Sequence, residues 1–289
     1  MKSENPFINF TTRSLLLCAL LISLLLGFLL SIVTELSGLS PNEPILTLIS
    51  YNLIFILLCL WAIERLSQLQ VKTDALIGKV PPNYQWLPTI GIVINILLFS
   101  LGSGQLLFYL LSFVAPGFVE SILSEQIFLS GSDNFAPALS NILAVITVVV
   151  VAPITEELLF RGILLHRWTA KWGITPALLL TSLVFGILHA NLVGLSVFGL
   201  MMALLYLKTR TLIVPIICHA LNNLVAIGLE LLPKDASNTN PADILEQLNS
   251  YWWVGMVYVV LSAPWLIDFI LKNWPKSVFD LPYFSNGDQ

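Results

Sequence analysis

The chain has 289 residues, of which 57% are hydrophobic and 10% charged, with mean hydropathy +0.88 and a formal net charge of -4. Soluble domains carry about a quarter charged residues, so this composition excludes an ordinary soluble enzyme and points to an integral membrane protein. No basic patch suggests a nucleic-acid partner. The three cysteines, Cys18, Cys59 and Cys218, all sit in apolar runs. They read as small core residues, not as a disulfide framework or a thiolate metal site.

Apolar runs near the ~20 residues that cross a bilayer fall at 14–33, 45–63, 87–114, 138–158, 174–190, 192–207, 211–232 and 252–271. The first is too long for a signal-peptide core and no A-x-A site follows it, so it is expected to be a retained span. Lys and Arg set the orientation. The first loop, 34–44, has none, whereas 64–86 carries Arg65, Lys72 and Lys79. Loop 115–137 again has none, although it holds Glu120, Glu125 and Asp133. Twelve of the thirteen basic residues fit one topology, and only Lys234 falls in a loop predicted outside. The expectation is an all-α, polytopic bundle of eight transmembrane helices with both termini cytoplasmic. The stretches 115–137 and 233–251 are too short for a soluble domain, so 1–289 reads as one membrane domain. A bacterial-type cell membrane is the expected location.

One membrane run, "VVVVAPITEELLFRG", carries adjacent acids. A carboxylate at bilayer depth costs about 2.5–3.5 kcal/mol on insertion scales. Glu157 and Arg161 are four apart and can pair on one helix face. Glu156 is rotated by about 100° and meets Leu159 and Phe160 at i+3 and i+4. It must find its partners on other helices. The plainer alternative is that the helix leaves the membrane at Pro153 and both acids sit at the water interface.

Only three histidines are present. His166, beside Arg167 in a basic stretch, is expected to be cytoplasmic and solvated. His189 and His219 lie in apolar helices. Phe185 shares the face of His189, and Asn223 shares that of His219, with Asn222 close by. "KWGITP" reads as a turn, with Gly173 ending one helix and Pro176 opening the next. Glu156 lies 17 residues before Gly173 and His189 lies 16 after it, so an antiparallel hairpin brings both to about the same height, roughly 24 Å from the turn. This requires the helix after Pro153 to run unbroken past Arg167, with its basic end projecting into the cytoplasm. His219 and Asn223 arrive at roughly 13 and 19 Å above Arg210. Glu156, His189, His219 and Asn223 can therefore converge on one pocket, expected to open toward the cytoplasm.

A carboxylate, two imidazoles and a carboxamide around one void suit hydrolysis. A poorly solvated carboxylate binds a proton more readily than a free one, which suits general-base duty near neutral pH. Glu156 is the candidate base toward water, and His189 can hold that water or protonate the leaving amine. His219 and Asn223 offer donors to an oxyanion. Glu156, His189 and His219 also form a recurrent zinc set, so the sequence leaves zinc open and fixes no cofactor. There is no H-E-x-x-H and no membrane aspartate pair. A Ser103–His189 dyad lacks a G-x-S-G setting, since Leu101 stands where the first Gly should be. Gly102 and Gly104 read instead as close helix packing.

Taken together, Glu156-Glu157-x-x-x-Arg161, Phe185-x-x-x-His189 and His219-x-x-x-Asn223 resemble the type II CAAX prenyl endopeptidase family, also called the CPBP or ABI family. The resemblance covers about 150–225. It implies an eight-helix bundle with catalytic helices across 138–232, and peptide-bond hydrolysis within the membrane. Residue by residue it implies that Glu156 activates water, His189 assists, and His219 with Asn223 stabilises the oxyanion. Glu157 and Arg161 belong to the motif, and their spacing makes them a supporting ion pair. The implied substrate is a membrane-associated or lipidated peptide or protein. Two other readings remain: a non-catalytic immunity or scaffold protein of the same fold, and a proton-coupled transporter, since membrane Glu and His also build proton relays. Sequence alone does not yield the oligomeric state.

Overall fold

The computed structural model describes residues 5–124, 136–231, 241–277 and 281–286. Among them every regular element is helical. After a short 3-10 turn (Pro6–Asn9) come α1 (Thr12–Ser37), α2 (Pro44–Gln68), α3 (Thr73–Ile77), α4 (Trp86–Ser112) and α5 (Pro116–Ser124). The site-bearing helices follow: α6 (Pro137–Trp172), α7 (Ile174–Ile187), α8 (Leu192–Thr209) and α9 (Ile213–Glu230). The chain closes with α10 (Pro241–Asn273) and α11 (Pro282–Asn286). Of the residues used for orientation, Lys2, Glu125, Asp133 and Lys234 lie outside the described set.

Among the described residues seven helices are long and apolar enough to cross a membrane: α1, α2, α4, α6, α8, α9 and the part of α10 from Leu245. The run expected to span 174–190 is helical only to Ile187, 14 residues. At about 1.5 Å per residue α7 covers about 21 Å, short of the ~30 Å hydrocarbon core. The stretch 233–251, expected to be polar and turn-rich, is helical from Pro241 onward. Pro241 opens that helix and Asp243 sits in its first turn, as the helix dipole favours.

Helix α8 is at the centre, buried over most of its length, while α1 turns Leu20, Leu24 and Phe28 outward. Two centres of small residues let helices approach. A Cβ on Gly102 would lie 2.6 Å from the Gly255 carbonyl, so α4 and α10 meet backbone to backbone. A Cβ on Gly199 would lie 3.2 Å from Ser182 Cα, so α7 presses closely on α8. Between α6 and α7, Gly173 adopts φ +87°, a value that favours glycine.

Helix α6 determines the site. It passes through Pro153 without ending, and Pro153 is buried. It does so by widening into two π-helical segments, Thr147–Val151 and Leu158–Leu164. In the first, the Ala152 N–H bonds the Thr147 carbonyl five residues back. The next π bond would run from residue 153 to Val148, but proline has no N–H. The Val148 carbonyl is left needing a donor, and α9 supplies one.

Candidate active site

Glu156, Phe185, His189, His219 and Asn223 line one cavity of about 410 Å³, together with Tyr51 of α2 and Asn222 of α9. The convergence expected from helical counting is therefore present. The Glu156 side chain is 9% exposed. Its Oε1 accepts from the Tyr51 hydroxyl at 3.4 Å, and its Oε2 has no hydrogen-bond partner. His219 Nε2 is 3.9 Å from that Oε2, too far for a direct bond but within the reach of a water bonded to both.

Behind this wall lies Glu157, fully buried. Its Oε1 accepts from Arg161 Nη1 and faces His219 Nδ1, each at 2.9 Å. Arg161 is equally enclosed. Its Nη2 donates to the Gly199 carbonyl at 2.9 Å, and its guanidinium carbon lies 4.8 Å from the centroid of the Phe185 ring. The glycine that lets α7 and α8 approach thus also offers Arg161 a second acceptor. The Glu157–Arg161 pair expected from the i, i+4 spacing is formed, and it reaches one step further, to His219.

Both candidate imidazoles are oriented by their Nδ1 atoms. His189 Nδ1 lies 2.6 Å from the Phe185 carbonyl, and the two rings stack at 4.6 Å. A carbonyl only accepts, so Nδ1 carries the hydrogen and a neutral ring presents the Nε2 lone pair. His219 is set the same way by the Glu157 carboxylate. Each neutral ring can then accept a proton at Nε2, and an imidazolium there can donate one.

Asn223 Nδ2 donates to the Val148 carbonyl at 2.8 Å, the group that Pro153 leaves unpaired. Asn222 Nδ2 approaches Asn223 Oδ1 at 3.4 Å, which fixes the amide the same way round. One N–H of Asn223 remains for a ligand in the cavity.

Residues 138–225 match the family model described as "Type II CAAX prenyl endopeptidase Rce1-like". This stretch is similar to that family. The match takes in all three motifs, so the resemblance read from them is shown. A protein of Bacillus subtilis (strain 168) named "Putative membrane peptidase YdiL" is 35% identical over 94 residues, 32% of this chain and 38% of that protein. An "Uncharacterized 24.3 kDa protein" of Escherichia coli is 31% identical over 86 residues, 27% of this chain and 40% of that protein. The chain thus spans well under half the length of these curated relatives. No solved structure matches it.

Several expectations about the site and its surroundings change in the structure. His189 is not inside a helix. It lies two residues beyond the end of α7, where Asn191 caps α8 by accepting from the Gly194 N–H at 3.0 Å. The cap forces a turn at 188–191, and the ring folds back on the last carbonyls of α7. His166 is not solvated. Its exposure is 0%, with Nδ1 3.0 Å from the Arg161 carbonyl and its ring stacked on Phe7 at 4.7 Å. The N-terminal turn and Tyr283 of α11 fold over it. Ser103 does not line the cavity; its hydroxyl donates to the Ser100 carbonyl at 3.3 Å.

Among the described residues no three His, Cys, Asp or Glu side chains are grouped to hold a metal ion. Glu156, His189 and His219 do not form such a zinc set in this arrangement.

Tyr51 was not foreseen. The signal was the polar pair Tyr51-Asn52 in the apolar run of α2. Asn52 donates to the Thr147 hydroxyl at 2.8 Å, at the start of the first π segment, and this contact registers α2 so that Tyr51 faces Glu156.

Proposed function

We propose that this protein is a glutamate-dependent intramembrane endopeptidase that hydrolyses a peptide bond of a membrane-associated peptide or protein. The observation that carries the reading is the unpartnered Glu156 Oε2, facing His219 Nε2 across 3.9 Å in a cavity that also holds His189 and Asn223. The Rce1-like match over 138–225 supports a peptidase core of that kind.

The steps follow from the donors and acceptors. Glu156 takes a proton from a water as the water attacks the scissile carbonyl. His189, held by the Phe185 carbonyl, orients that water through its Nε2 lone pair and relays the proton taken by Glu156 to the leaving amine. The negative charge that develops on the carbonyl oxygen meets the free N–H of Asn223 and the Nε2–H of His219 in its imidazolium form, the ring having gained a proton at Nε2. Glu157, tied to Arg161, stabilises that imidazolium from behind. Donors fixed before the reaction act strongly because they need no reorganisation. The whole chain acts as one membrane domain, and its basic loops face the cytoplasm.

The test is a reconstitution of wild type, Glu156→Gln and His189→Ala with a library of membrane peptides. Wild type is expected to cleave a subset that neither variant cleaves. Equal cleavage by all three overturns the reading. Absence of cleavage by any of them favours a scaffold or immunity role, and a proton-driven flux lost in Glu156→Gln favours a transporter.

A further inference from the structure

The bundle has two chemically distinct ends. At one, the Trp168 Nε1–H donates to the Thr12 hydroxyl at 3.0 Å, and the Leu212 N–H donates to the Ile77 carbonyl at 2.8 Å. Asn286 Nδ2 lies 2.9 Å from the carbonyls of both Ala75 and Arg210. Lys208 sits 4.9 Å over the Phe269 ring. These contacts gather the start of α1, the α2–α4 connection, the foot of α6, the α8–α9 turn, the last turns of α10, and α11. Arg65, Lys72, Lys171, Lys208, Arg210 and Lys272 all stand exposed there. A second cavity, of about 1140 Å³, opens among Lys72, Lys79 and Arg210. By the basic-residue rule this end faces the cytoplasm.

The cavity that holds Glu156 lies toward the other end. No Lys or Arg is among its described lining residues. Its α2 residues are Thr47, Leu48 and Tyr51, at the start of a helix that ends at Gln68. Thr47 is 21 residues from Gln68, about 31 Å along the helix at 1.5 Å per residue, and only three from Pro44. Val148 is 24 residues from the basic foot of α6, about 36 Å. Asn223 is about 15 Å above Ile213 but only about 10 Å below Glu230. Thr47 is exposed where it borders the cavity. This is the reverse of the cytoplasmic side to which helix counting would open the pocket.

We propose that substrate reaches Glu156 from the face opposite the basic end. The substrate class is then a membrane peptide whose scissile bond is presented from the extracytoplasmic side, such as an exported or outward-facing segment. A lipidated C-terminus displayed in the cytoplasmic leaflet is not the substrate. The inference rests on the peptidase reading for its chemistry but not for its geometry.

The experiment uses the full chain in intact cells and a membrane-impermeant maleimide. Thr47→Cys is the probe, Lys72→Cys marks the basic end, and wild type gives the background from Cys18, Cys59 and Cys218. Labelling of Thr47→Cys from outside, with Lys72→Cys labelled only after the membrane is opened, is the expected result. Labelling of Thr47→Cys only from the cytoplasmic side, or from neither side, overturns the proposal. A bulky adduct placed on Thr47→Cys from outside is expected to abolish cleavage. If the adduct forms and cleavage is unchanged, this entry route is wrong while the peptidase reading stands. If wild type cleaves nothing, the labelling pattern still decides the side of access.

Discussion

Glu156 and Glu157 are neighbours in the chain, yet they enter two regions built on different terms. Glu157 lies in a dry clamp: its Oε1 is held by Arg161 and His219, Arg161 is held in turn by the Gly199 carbonyl, and its unpartnered Oε2 is enclosed away from the cavity. Glu156 lies on a cavity wall, with one long hydrogen bond from Tyr51 and an oxygen left without a donor. A buried charge is tolerated when paired, and removing one partner leaves the other uncompensated. A group whose unpartnered oxygen borders a cavity can respond to a ligand, and of the two acids only Glu156 lines one. The comparison teaches that the first region holds geometry while the second is free to react.

The largest effect is expected from breaking the clamp. Arg161→Ala leaves the Glu157 carboxylate without its counter-ion and should destabilise the fold by about 3–5 kcal/mol. Thermal unfolding in detergent measures it. A loss as small as that of an exposed pair such as Lys272–Asp268 would erase the distinction between the regions.

Next comes the cavity side. Asn223→Ala is expected to lower kcat by about 10²-fold, the scale of one oxyanion donor. It also frees the Val148 carbonyl, so a stability loss of about 1–3 kcal/mol should accompany it. Kinetics and unfolding on the same sample separate the two. Stability lost with kcat intact would confine Asn223 to holding α6.

The smallest effect sharpens the comparison within the cavity. Tyr51→Phe removes the one donor to Glu156 and should change kcat/KM by less than about tenfold, since a single hydrogen bond contributes about 0.5–1.5 kcal/mol. Stability should fall by no more than that amount. An effect as large as that of Asn223→Ala would make Tyr51 a member of the reacting set.

Much of this division was legible in the sequence. The i, i+4 spacing of Glu157 and Arg161 dictates a pair and leaves Glu156 over. Counting residues from Gly173 brings Glu156 and His189 to one depth even though α7 ends early, because the turn at 188–191 still delivers the ring. What escaped has physical causes. A π segment changes which carbonyls lack donors, and spacing based on 3.6 residues per turn does not reveal it. The bond from Asn223 to Val148 therefore could not be foreseen. His166 looks solvated beside Arg167, and only the tertiary fold brings Phe7 and Tyr283 over it. Tyr51 carries no motif, and its role depends on the lateral register that Asn52 sets against Thr147.

The most direct measurement compares Glu156→Gln and Glu157→Gln side by side for cleavage of a wild-type substrate and for thermal unfolding. The account predicts that Glu156→Gln unfolds like wild type and cleaves nothing, while Glu157→Gln unfolds at clearly lower temperature. Cleavage by Glu156→Gln at the wild-type rate would contradict it.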